Sequence, residues 1–127
     1  MKIAVASKNF ETVTGHAGKN RRWLVFEVQD GELHLPPAQV ELEKPQVFHH
    51  FKDDGPHPLD GIEGLIAASS GDSFLRRMEK RGVKAIMTRE SDPEVAVRAL
   101  LKEQLPPPKP RPITGLICKA HDAFSKH

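Results

Sequence analysis

The chain has 127 residues, enough for one domain with a hydrophobic core. Apolar residues make up 38% and charged residues of both signs 28%, which argues against wholesale disorder, and a formal net charge of +2 is too small to imply a nucleic-acid or membrane partner. The lone cysteine, Cys118, excludes an intrachain disulfide and is compatible with a reducing compartment.

The opening "MKIAVASKNF" is too interrupted by polar residues for a signal-peptide core. No apolar run approaches the ~20 residues that a membrane-spanning helix needs, so a soluble cytoplasmic protein is expected.

Ile3 and Val5, with the small Ala4 and Ala6, predict a short buried strand ending at Ser7. Residues 8–20, "KNFETVTGHAGKN", form a polar loop of a length that tends to be functional. "RWLVFEV" reads as a strand, and the "QDG" turn returns the chain through "ELHLPPAQVEL" as its antiparallel partner. Pro36 and Pro37 are expected to mark where that second strand stops pairing.

Residues 43–60 show no sustained periodicity and read as a short helix or turn followed by a loop. "IEGLIAAS" predicts a second buried strand and "VKAIMT" a third. Between them "GDSFLRRMEKRG" reads as a helix with Phe74, Leu75 and Met78 on one face, Asp72 or Ser73 as cap and Gly82 as its stop. "SDPEVAVRALLKEQL" is the clearest helix: Asp92 caps it, Pro93 takes the first position, and Val95, Ala96, Ala99 and Leu100 form its packing face. "PPPKPRP" is expected to be an extended connector to a tail that carries Cys118 and His121.

Strand–helix–strand units demand parallel strands, and ligands in open α/β sheets bind outside the carboxyl ends of those strands. If the strands near residues 3–6, 63–68 and 83–88 are parallel neighbours, three loops converge there: 7–19, 69–73 and 88–92. This order of elements places His16, between two glycines, at the crevice. Gly71 in "ASSGDS" allows close approach to a helix N-terminus that favours an anion, although a tight turn needs the same glycine. Lys19, Arg21 and Arg22 either raise the local potential for an anionic ligand or form a solvated strand entrance.

His49, His50 and His57 share one loop, as metal ligands or as solvated imidazoles, with no HExxH pattern or paired-Cys motif beside them. Cys118 and His121 could meet on one helical turn as ligands, or the thiol could pack on the body. No triad order is visible.

The "KIAVAS" strand, the "GHAG" loop before "WLVFEV", the "IEGLIAASSGDSFLRRMEKRGVKAIMT" unit and "SDPEVAVRALL" stand in an order that resembles the dinitrogenase iron–molybdenum cofactor-binding family. That family includes NifX- and NafY-type proteins, the C-terminal domain of NifB and small stand-alone relatives. The likeness covers residues 2 to about 105. It implies a ribonuclease-H-like three-layer α/β fold with a mixed central sheet, with a cofactor-binding domain at residues 1–105 and a proline-rich connector and tail at 106–127.

It further implies a non-catalytic carrier of an iron–molybdenum(–sulfur) cluster or its precursor, or alternatively a module that docks on nitrogenase or its assembly factors. The family's histidine, which lies in a His-Phe-Gly turn, aligns with His16, and Ala17 stands where relatives carry the aromatic residue. Gly71 aligns with the family's strand-to-helix glycine. The expected cofactor contacts are His16, Gly18, Arg21, Arg22, Ser69, Ser70, Gly71 and Ser73, with His16 the metal ligand and His49, His50 and His57 secondary candidates.

The implied partners are nitrogenase cofactor assembly proteins or apo-dinitrogenase, met as a monomer or weak dimer, without nucleic acid or membrane. Nucleases of the same fold class are the enzymatic rival. They place metal-binding carboxylates on central strands, and "KIAVAS", "LIAAS" and "VKAIMT" supply none.

Overall fold

A computed structural model describes residues 1–102. The expected connector and tail, with Cys118 and His121, lie outside the described residues. Five strands form one sheet: β1 (Lys2–Ala6), β2 (Arg22–Gln29), β3 (Glu32–Glu41), β4 (Ile62–Ala67) and β5 (Lys84–Met87), in the order β3-β2-β1-β4-β5. Two helices accompany them, α1 (Asp72–Lys80) and α2 (Pro93–Leu101). The sheet is mixed: β1, β4 and β5 run parallel, and β2 is antiparallel to both β1 and β3.

Alternation along the central strand divides the core into two layers. Ala4 and Ala6 point to one face, where they meet Trp23, Leu65, Ala67 and the α1 residues Phe74 and Met78. Ile3 and Val5 point to the other, against Leu24, Phe26, Ile66 and the α2 residues Ala96 and Val97. The helices therefore cover opposite faces. A strand covered on both faces must be apolar throughout, hence the unbroken "IAVA".

Four expectations change at this level. β3 does not stop at its prolines: pairing slips between Val25↔Ala38 and Glu27↔His34 and then resumes. Prolines donate no hydrogen bond, so they are accommodated in an irregularity on an edge strand. β5 is the opposite edge of the sheet and is only half-buried, not a buried strand.

The N-cap of α1 is Gly71, without a side-chain bond from Asp72 or Ser73. In α2 the buried face is Pro93, Ala96 and Val97, and Val95 is 46% exposed. Asp92 caps α2 as the sequence suggests, accepting from the N–H groups of Glu94 and Val95 at 2.9 and 3.2 Å. Gly82 takes a positive φ of 72° just beyond the end of α1.

Candidate functional site

Parallel β1, β4 and β5 open their carboxyl ends on one edge, and the loops that follow them are bonded together there. Thr14 N–H donates to Ala6 O at 2.8 Å, Ala68 N–H to Thr14 O at 2.9 Å, and Val13 N–H to Ser91 O at 2.8 Å. All three expected loops thus meet, with the long one in the middle.

His16 is the pivot. Its backbone is left-handed, with φ 55° and ψ 49°, a region that costs a non-glycine residue about 1–2 kcal/mol. Ser69 holds it from both sides of the residue: His16 N–H donates to Ser69 Oγ at 2.9 Å, and Ala17 N–H to Ser69 O at 3.1 Å. Glycine suits position 15, since a Cβ on it would lie 2.3 Å from Ser69 Oγ and displace that hydroxyl. A short 3-10 turn, Ala17–Lys19, follows, with Ala17 fully buried and the His16 side chain exposed.

These loops line a cleft of about 450 Å³. Of the residues expected at the site, His16, Gly18, Ser69, Ser70, Gly71 and Ser73 line it together. Arg21 and Arg22 do not. They line a neighbouring recess that shares only His16 and Lys19 with the cleft. Arg21 Nε donates to Leu42 O at 3.1 Å, and Arg22 Nε meets Glu41 at 2.7 Å, holding that carboxyl below the usual carboxylate range.

The three clustered histidines separate. His49 lines the cleft, drawn to it by its N–H donating to Gly18 O at 2.6 Å. His50 touches the His49 ring but does not line the cleft. His57 is not available as a ligand. It is buried, its Nε2 donates to Gln46 O at 2.6 Å, and its Nδ1 accepts from Leu59 N–H at 3.0 Å. Burial pushes its pKa down, as does nearby Arg81, against the raising effect of the Gln46 bond, Asp60 and Asp53. Among the described residues no three of His, Cys, Asp and Glu come together as a metal-binding group.

Three lining residues escaped the sequence reading: Phe48, Phe74 and Arg77. Phe48 is stacked on His57 at 4.6 Å and meets Phe74 edge-on at 5.6 Å, so the cleft has an aromatic wall despite Ala17. Arg77 donates to the Phe48 carbonyl and tethers that wall to α1. A signal for Arg77 was present: it lies four residues after Ser73 and three after Phe74, on one helical face.

Among the described residues no helix is long and apolar enough to cross a membrane. A crystal structure of a candidate dinitrogenase from Methanocaldococcus jannaschii is similar, with a TM-score of 0.62 at 10% identity over 83% of this chain and 91% of that one. An NMR structure of a candidate NifB protein from Thermotoga gives 0.56 at 17% identity, over 84% and 91%. At such identities the likeness is one of fold. No curated protein sequence matches the chain. Residues 1–103 match the family model described as "Dinitrogenase iron-molybdenum cofactor".

Proposed function

The chain belongs to the dinitrogenase iron–molybdenum cofactor family, and from that premise we propose that it binds and carries an iron–molybdenum(–sulfur) cluster or its precursor without catalysing a reaction on it. The observation that carries this reading is His16, an exposed imidazole on a strained backbone that Ser69 fixes at the mouth of a cleft. Strain of this kind persists where the surroundings over-determine it, and such places cluster at ligand sites. Imidazole ligates iron and molybdenum, and a single fixed ligand suits a cargo that must be released.

The remaining contacts would come from Gly18, Ser69, Ser70, Gly71 and Ser73, with His49 as the second imidazole facing the cargo. The strand order β3-β2-β1-β4-β5, with helices on both faces, supports a ribonuclease-H-like three-layer arrangement. The cleft lining includes no carboxylate, which favours a carrier over two-metal phosphodiester hydrolysis. On this reading residues 1–105 are the binding domain, residues 106–127 are an appended tail, and the protein works in the cytoplasm as a monomer or weak dimer.

The second reading is a docking module for nitrogenase cofactor assembly proteins or apo-dinitrogenase. The recess lined by Lys8, Lys19, Arg21 and Arg22, with Glu41 as its one acid, favours it as a contact for an acidic partner. Anaerobic titration of the purified protein with isolated cofactor, followed by spectroscopy and comigration, tests the first reading against the second. Wild type is expected to bind and His16→Ala to lose binding. Equal binding by both removes His16 from the site, and no binding by either leaves the docking module.

A further inference from the structure

The charge of the cleft is one-sided. Its ionisable lining is His16, Lys19, His49 and Arg77, and Asp72, beside it on α1, does not line it. Walls of one sign focus potential and concentrate an ion of the opposite sign.

Unused donors gather at one place in this field. The first helical bond of α1 runs from Leu75 N–H to Gly71 O, which leaves the N–H groups of Asp72, Ser73 and Phe74 without a helical acceptor. No side chain caps them. The hydroxyl of Ser70 exposes less than 1 Å² of its oxygen and has no hydrogen-bond partner, although the residue lines the cleft. A buried hydroxyl without a partner carries a free-energy cost that a ligand oxygen would remove. Arg77 approaches from the next turn of the same helix; Nη1 is used by the Phe48 carbonyl and Nε lies 3.7 Å from Asp53, while Nη2 has no partner among the described residues.

We infer that the cleft contains an oxyanion subsite alongside the His16 imidazole, formed by Ser70 Oγ, the free N–H groups at the start of α1 and Arg77, which takes a carboxylate or phosphate group of the bound ligand. The inference rests on the carrier reading only in taking the same cleft as the ligand site. A ligand held here and at His16 is bound at two unlike points, a coordination bond from the imidazole and a set of charge-assisted hydrogen bonds. Two points fix orientation where one ligand bond leaves rotation free.

The test is amide NMR on the labelled protein titrated with inorganic phosphate and, separately, with citrate, against chloride at matched ionic strength. Saturable shifts at residues 70–74 are expected; a response to phosphate alone identifies a tetrahedral oxyanion, and a response to citrate alone a carboxylate. Arg77→Gln should weaken the affinity by about tenfold. Because Arg77 also tethers Phe48, Ser70→Ala is the cleaner variant. It should weaken affinity about fivefold while leaving the melting temperature unchanged or raised, as removal of an unpartnered hydroxyl predicts.

Arg98→Gln, an exposed position on α2 across the sheet from the cleft, should leave phosphate affinity within about twofold. Shifts confined to the Lys8, Arg21 and Arg22 recess, equal shifts with chloride, or unchanged affinity in Ser70→Ala would overturn the inference. A phosphate site that persists when no cluster binds removes the carrier reading alone. Cluster binding through His16 without a phosphate site removes the subsite alone.

Discussion

Ser69 Oγ accepts the N–H of His16 at 2.9 Å, and the same oxygen occupies the place that a Cβ on Gly15 would need. One short side chain thus dictates the glycine before the histidine and the left-handed backbone at it. In Gly15→Ala the hydroxyl must rotate away and release His16 N–H, at a cost of about 1 kcal/mol. Ser69→Ala loses the same bond. The double variant should therefore cost little more than either single one, an interaction energy of about 1 kcal/mol in a denaturation cycle. Strict additivity would show that the two residues act separately.

His16→Gly should separate stability from binding. Glycine adopts φ 55° without a Cβ penalty, so the variant is expected to gain up to about 1 kcal/mol in urea denaturation, less the entropy that glycine adds to the unfolded chain. Cluster binding should be lost with the imidazole. A residue placed for folding would show the opposite pairing.

Much of this arrangement was legible because topology alone locates a binding edge. The apolar runs at β1 and β4 and the Asp92-Pro93 start of α2 determine the element order, and the order brings the His16 loop to Ser69. Arg77, Phe48 and the fate of His57 were not legible. Residues 43–60 have no period, so nothing in the sequence says that Phe48 turns in towards Phe74 or that His57 supports it from behind. Arg21 and Arg22 lie close to His16 in sequence, but Arg22 is drawn to Glu41 on the paired strand β3. The prolines of β3 read as an end because strand pairing normally needs every other N–H; an edge strand with a register slip escapes that demand.

α2 packs on the face of the sheet away from α1, so its cap offers a control. Asp92→Ala removes an acceptor used by two N–H groups and should cost about 1 kcal/mol in thermal or chemical denaturation. Cluster and phosphate binding by the folded protein should be unchanged. A loss of binding larger than the loss of folded protein would mean that the Val13–Ser91 link carries the α2 start into the site.

His57 should make stability depend on pH. Burial lowers its pKa in the folded protein, while the unfolded chain titrates near the ordinary value of about 6.5. As pH falls through that value the unfolded state takes up the proton first, so the folded state loses stability until the pH reaches the depressed folded value, below which this contribution levels off. Protonation also removes a hydrogen bond: Nδ1 accepts from Leu59 N–H, and a proton on that nitrogen abolishes the bond. His57→Asn keeps an acceptor for Leu59 but cannot titrate, and its stability should be flatter between pH 7 and 5 in denaturant melts (the window follows from the ordinary histidine value, about 6.5). Because the His57 ring is stacked on Phe48, acid should also loosen the aromatic wall of the cleft, seen as Phe48 and Phe74 resonances shifting with the same midpoint. An unchanged slope in His57→Asn would show that the acid sensitivity does not come from His57.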